Sequence, residues 1–131
     1  MTKLTVSFAT LVALSALSSA SALAQSGNCG SFLSTNEVFQ CLVDEHSAAD
    51  KALNVSYSAI QDVLRSYSTT RSKALVAAQR AWISLRDLDC ASEGLAFEGG
   101  SLQKIIVQGC LTRKTKERTT ELETQYELQV H

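Results

Sequence analysis

His46 and Asp50 stand four residues apart in a stretch of helical hydrophobic period, a spacing that puts both on one face and could offer two ligands to a metal ion. A metal centre needs three or more ligands with an organised surrounding shell, and no second Glu-x-x-His or His-x-x-x-His completes the set. His46 therefore reads as a hydrogen-bonded or solvent-edge histidine, and no metal or cofactor is expected. Two carboxylate pairs, Asp44 with Glu45 and Asp87 with Asp89, have the residue types of a glycosidase. That chemistry needs the two carboxyl groups across a cleft, one of them kept protonated by burial. A small helical bundle offers little room for such a cleft, so these residues read as solvated or capping charge. No serine stands in Gly-x-Ser-x-Gly. The expectation is a protein that is not an enzyme.

The four cysteines, Cys29, Cys41, Cys90 and Cys110, take their meaning from the first two dozen residues. Lys3 supplies a positive start, an apolar run extends from about Val6 to Leu17, and Ala22-Leu23-Ala24 before Gln25 has the small-x-small form of a signal-peptidase site. Residues 1–24 are expected to be a cleaved signal peptide of bacterial type and residues 25–131 one exported domain, periplasmic or secreted. No lipobox precedes Cys29 and no second long apolar run follows, so neither a lipid anchor nor a membrane span is expected. In an oxidising compartment an even cysteine count reads as two disulfides. Three connectivities are open; local pairing, Cys29 to Cys41 and Cys90 to Cys110, is favoured because each bond closes a short loop without demanding a particular helix register. The formal net charge of −1 gives nucleic-acid binding no electrostatic footprint.

The chain has no proline, and its glycines punctuate the start and residues 94 to 100. Between them Phe39, Leu42, His46, Ala49, Leu53, Tyr57, Ile60, Leu64 and Tyr67 advance in steps of three and four. The pattern predicts a helix from about Asn36 to Tyr67, begun by a capping box of Ser34 with Glu37. Ser68-Thr69-Thr70 predicts a polar break whose hydroxyls cap the next helix. That second helix carries Leu75, Ala78, Trp82 and Leu85 inward and ends between Ser92 and Phe97. Gly99-Gly100 stops it, and Ser101 is expected to cap a third helix with Leu102, Ile105, Ile106, Cys110, Leu111, Thr115, Arg118, Leu122 and Tyr126 along its inner face. The fold class is all-α, an elongated antiparallel bundle of three main helices with two disulfides.

Polar residues interrupt these inward stripes. Asp50, Asn54, Gln79, Trp82, Arg86, Asp87 and Arg118 sit at or beside core positions, and buried ionised groups persist only when paired. They are expected to form a structural network in which Asp50 or Asp87 accepts from an arginine.

The same residues carry a resemblance. Asp50-x-x-Leu53-Asn54-x-x-Tyr57, Leu75-x-x-x-Gln79-x-x-Trp82, Arg86-Asp87-x-x-Cys90, the Gly99-Gly100-Ser101 turn, Cys110 and Thr115-x-x-Arg118-x-x-x-Leu122 follow one another in the order of the lysozyme-inhibitor LprI N-terminal-domain family, which the chain resembles. The resemblance covers nearly all of residues 25–131. It implies a small exported helical protein whose partner is another protein, with lysozyme or another cell-wall hydrolase as the implied target. The candidate contact is the connection from Ala91 to Ser101, with Glu93, Phe97 and Glu98 beside flexible glycines. The competing reading is an envelope accessory or immunity module with a different protein partner.

Overall fold

Ser34 opens the first helix with the reciprocal bonds its sequence predicts: its hydroxyl accepts from the Glu37 N–H at 3.4 Å while its own N–H donates to the Glu37 carboxylate at 2.8 Å. The hydroxyl bond holds the Glu37 carboxyl below its usual range. The computed structural model describes residues 29–30 and 34–127. The expected signal peptide, its cleavage position before Gln25 and the terminal His131 lie outside the described residues. The chain forms three helices, α1 (Thr35–Tyr67), α2 (Thr69–Leu95) and α3 (Leu102–Glu127).

The break between α1 and α2 is a single residue. Ser68 is extended, its N–H closes α1 on the Leu64 carbonyl at 2.7 Å, and its hydroxyl accepts from the Arg71 N–H to open α2. Thr69 and Thr70, expected in the break, are already helical. A buried exchange locks the reversal: the Gln61 amide donates to the Ser72 carbonyl at 3.1 Å and the Ser72 hydroxyl donates back at 2.6 Å. Gly99 turns the chain between α2 and α3 at φ 76, a left-handed value that suits glycine. The side chain of Gln103, rather than the expected Ser101 hydroxyl, reaches back to the Gly99 N–H.

The bundle runs up, down and up. Lys104 donates to Asn36 and Ser56 donates to Glu123, which sets α1 and α3 side by side in the same direction. Cys90 joins Cys110, and Gln79 meets Arg118 below it, which sets α2 antiparallel to α3. Leu53, Ile60, Leu64, Leu75 and Leu122 form the buried apolar cluster at the α1–α2 reversal, with Tyr57, Trp82 and Tyr126 packed against it. The opposite end is held by the Cys29–Cys41 and Cys90–Cys110 disulfides, the pairing favoured from loop length. Each closes a loop and restricts the unfolded chain, a contribution of about 3 kcal/mol. Two bridges of this kind are consistent with an extracellular or periplasmic location. No helix among the described residues is long and apolar enough to cross a membrane.

Four inward assignments are corrected. Ala78 and Leu85 face solvent, as do Tyr67 and Leu102 at helix ends. The buried face of α2 is Ser72, Leu75, Gln79, Arg86, Cys90 and Gly94, a set with three polar side chains against two apolar ones. Burial follows α2's partners on α1 and α3 rather than its own hydrophobic content.

At Gly94, one turn from the disulfide, α2 packs closely on α3. A methyl group there would sit 2.4 Å from the Val107 Cγ2, and a β-branched helical side chain has no free rotamer with which to yield. Gly94→Ala is expected to lower the thermal midpoint through overpacking of roughly 1–3 kcal/mol. Gly109→Ala, where nothing lies within 4 Å of the added carbon, should leave the midpoint unchanged or raise it through helix propensity.

Candidate functional site

Two features of the bundle are candidates: the polar seam across its middle and the turn at its disulfide end. In the seam the Trp82 ring lies between two guanidinium groups, Arg86 at 5.1 Å and Arg118 at 5.7 Å from its centroid, both within cation–π range. Arg86 comes from α2 and is nearly buried. Its Nε and Nη2 donate to Asp87 at 2.9 and 2.8 Å, its Nη1 donates to the Thr115 hydroxyl on α3 at 3.2 Å, and Asp50 on α1 lies 3.9 Å away. Arg118 enters from α3, donates to the Gln79 side-chain oxygen on α2 at 3.1 Å and pairs with Glu121 at 2.8 Å. Asn54 donates to Asp50 at 3.2 Å. Asp50, Asn54, Gln79, Trp82, Arg86, Asp87 and Arg118 thus touch in one continuous chain of contacts. Asp50, Asn54, Tyr57, Gln79 and Arg80 also line a shallow groove of about 250 Å³ between α1 and α2.

Only part of the segment from Ala91 to Ser101 is a connection. α2 continues through Leu95, so Glu93 is helical and its carboxylate is engaged by Arg113 of α3 at 2.9 and 3.1 Å. Phe97 and Glu98 lie on the turn proper. Successive bonds from Phe97, Glu98 and Gly100 to the carbonyls of Gly94, Leu95 and Phe97 fold that turn tightly against the helix end. Leu95, Phe97 and Leu102 are exposed there. A second groove of about 440 Å³ opens beside the turn, lined by Phe39, Gly100, Gln103, Lys104, Val107 and Gln108. The Lys104 ammonium sits 4.8 Å above the Phe39 ring.

The model of the lysozyme inhibitor LprI family matches residues 28–122. The chain belongs to that family. An uncharacterized protein of Rhizobium meliloti (strain 1021) is similar to it, 35% identical over 106 residues that span 72% of this chain and 76% of the relative. The crystal structure of a DUF1311 family protein from Pseudomonas putida KT2440 has a similar fold, with a TM-score of 0.60 at 24% identity, covering 66% of this chain and 87% of that one.

As an LprI chain the molecule uses partners that were not assigned to the network from the sequence. Thr115, placed inward by its spacing, is fully buried and accepts from Arg86, Glu121 pairs with Arg118, and Arg113 pairs with Glu93 near the end of α2. The available signal was a polar residue, Thr115, three before Arg118 on the face that also carries Leu122. His46 and Asp50 share one face, but Asp50 is occupied by Asn54 and Arg86. Among the described residues no three His, Cys, Asp or Glu side chains converge.

His46 instead senses burial. Desolvation holds its imidazole below the ordinary histidine range and Arg86 pushes the same way, against the opposing pull of Asp50 and Asp87. Its Nε2 is buried with no hydrogen-bond partner among the described residues, which suits the neutral ring. A folded-state pKa below the unfolded value of about 6.5 contributes stability above that pH, lost as pH falls through the lowered folded value. An NMR titration should place His46 below an unstructured histidine, and His46→Gln should lose less stability than the native chain on acidification through that window.

Trp82→Ala should cost about 3 kcal/mol, through lost indole packing and two lost cation contacts. Arg118→Ala, which strands the buried Gln79 amide oxygen, should cost about 1–3 kcal/mol. Thermal melts check both. Melting temperatures that stay put while partner binding disappears would make the seam a contact surface.

Proposed function

We propose that this chain is an exported protein-binding domain that blocks a peptidoglycan-degrading hydrolase of the lysozyme kind, with the α2–α3 turn as the contact. In this reading residues 1–24 are removed as a signal peptide and residues 25–131 act as one domain in the periplasm or outside the cell. Family membership supports the activity, since the family is described as lysozyme inhibitors.

The observation that carries the location is the hydrogen-bonded turn seated beside the Cys90–Cys110 disulfide. Residues 96–101 are clamped from below by Cys90–Cys110 and by the Gly94–Val107 approach, so Phe97 and Glu98 project from a support already ordered. A preformed projection loses little conformational freedom on binding. Phe97 supplies an apolar anchor, and Glu98 supplies an acceptor and a negative charge that draws in a basic enzyme. Hydrolases of this class work in a cleft between two carboxyl groups, a concave surface that a small convex turn can fill. Glu93 contributes indirectly through its ion pair with Arg113, which braces the last turn of α2.

A turbidity assay with lysozyme and the protein recovered from the medium or periplasm, its intact mass beginning at Gln25, tests the reading. Inhibition is expected, weakening as salt rises through about 0.15 M, where the Debye length is about 8 Å. Phe97→Ser and Glu98→Gln should reduce it with the helical spectrum intact, whereas Glu93→Gln should change it less. No inhibition of any lysozyme would favour the alternative of an envelope accessory with another protein partner. Full inhibition by the Phe97 and Glu98 variants would discard the turn and keep the activity.

A further inference from the structure

The face of α2 turned away from the bundle carries an apolar seam that no other described residue covers. Ala74, Ala78, Ala81, Leu85, Leu88 and Leu95 recur in steps of four, three and seven, the 3.5-residue period of a coiled-coil contact, and every one is exposed. Leu88 is 71% exposed and Leu85 and Leu95 57% each, high values for leucines in one line. The seam runs about 31 Å at 1.5 Å per residue. Beside it Ala77, Ser84 and Ala91 are also small and exposed, which allows a second helix to come close.

Two asymmetries identify what fits. The first is size, with alanines in the N-terminal half of the seam and leucines in the C-terminal half. The second is charge: Lys73 and Arg80 accompany the alanines, no acid occurs from Thr69 to Arg86, and half-exposed Asp87 stands among the leucines, while Asp89 and Glu93 are engaged by Lys114 and Arg113 of α3. This arrangement opposes the helix dipole, which favours acids in the first turn and bases in the last; α2 has neither. Within one chain Lys73 and Arg80 meet no acid among the described residues. Across a two-fold axis, with a second α2 running antiparallel, each half meets its complement in both size and charge.

We propose that the outer face of α2 is the interface of a homodimer in which two copies of α2 pack antiparallel about a two-fold axis close to Ser84. In that register Leu85 and Leu88 of one copy lie over Ala81 and Ala78 of the other, and Arg80 of each lies beside Asp87 of the other. A two-fold contact is self-complementary, so one match occurs twice. Lys73 and Arg80 make no ion pair with another described residue. Asp87 pairs with Arg86 from one side and remains half exposed on the other. The antiparallel order carries the two Phe97 turns to opposite ends, away from the interface. The proposal does not depend on the hydrolase reading.

Sedimentation velocity of the purified protein over a concentration series is the test. The expected mass rises from one protomer toward two. Leu88→Glu should hold it at one protomer with an unchanged helical spectrum, and Val55→Glu, at an equally exposed position on α1, should leave the dimer intact. Arg80→Glu should weaken dimerisation about tenfold, the combined effect of two symmetric surface pairs. Ser84→Cys should cross-link to itself on mild oxidation, and Ala74→Cys should not. A single protomer at every concentration, or a dimer that survives Leu88→Glu, overturns the proposal. A monomer whose lysozyme inhibition is lost in Leu88→Glu overturns it too, and assigns the seam to the target enzyme.

Discussion

Two arginines are buried against one tryptophan, and the three helices are held in register by the need to satisfy them. A guanidinium removed from water must find acceptors for its fixed fork of donors, or the fold loses several kcal/mol. Arg86 finds them on α2 and α3 at Asp87 and Thr115, with the Asp50 carboxylate of α1 3.9 Å away as a further countercharge, and Arg118 finds them at Gln79 and Glu121. Sliding one helix against the others by a turn, about 5.4 Å, would break the contacts that cross between helices, Arg86 with Thr115 and Asp50 and Arg118 with Gln79. Trp82 adds a flat surface on which both cations rest, so the seam is shielded as well as paired.

The two ends of the bundle are stabilised differently. At the α1–α2 reversal a small leucine cluster and the buried Gln61–Ser72 exchange suffice. At the other end, beside the groove lined by Phe39, Lys104 and Val107, two disulfides hold the helices. Covalent bonds there free the surface side chains of the α2–α3 turn from core duty. Phe97 and Leu102 remain exposed there. A domain of this size has few leucines to spare for a core, which makes three exposed leucines on α2 the more telling. Their alignment with alanines at coiled-coil period gives the helix two working faces, a polar one toward its own bundle and an apolar one outward.

Much of this was legible in the sequence. The steps of three and four along α1, the Ser34–Glu37 capping box, the absence of proline and the Gly99 turn determine three helices and their limits, because these are local effects of backbone geometry and capping. Four cysteines with short separations made the local pairing the natural one. The ordered set from Asp50 to Leu122 was enough to point to the family. The polar residues of the seam were recognisable as a group, since charges and amides at core positions must meet one another.

Which way α2 faces was decided only by tertiary structure. Leu75, Ala78, Trp82 and Leu85 make a helical stripe as regular as Leu75, Gln79, Trp82 and Arg86, and local hydrophobicity favours the first. The second is buried because α1 and α3 present Asp50, Thr115 and Arg118 at matching heights, a non-local complementarity that no window along one helix contains. The close approach at Gly94 and the engagement of Glu93 by Arg113 arise in the same way, from pairing residues about 13 and 20 positions apart across an antiparallel contact. The sequence by itself determined the helices, their caps and the stock of polar groups to be buried. Tertiary packing selected the faces, because the free energy of a buried charge depends on what stands opposite it.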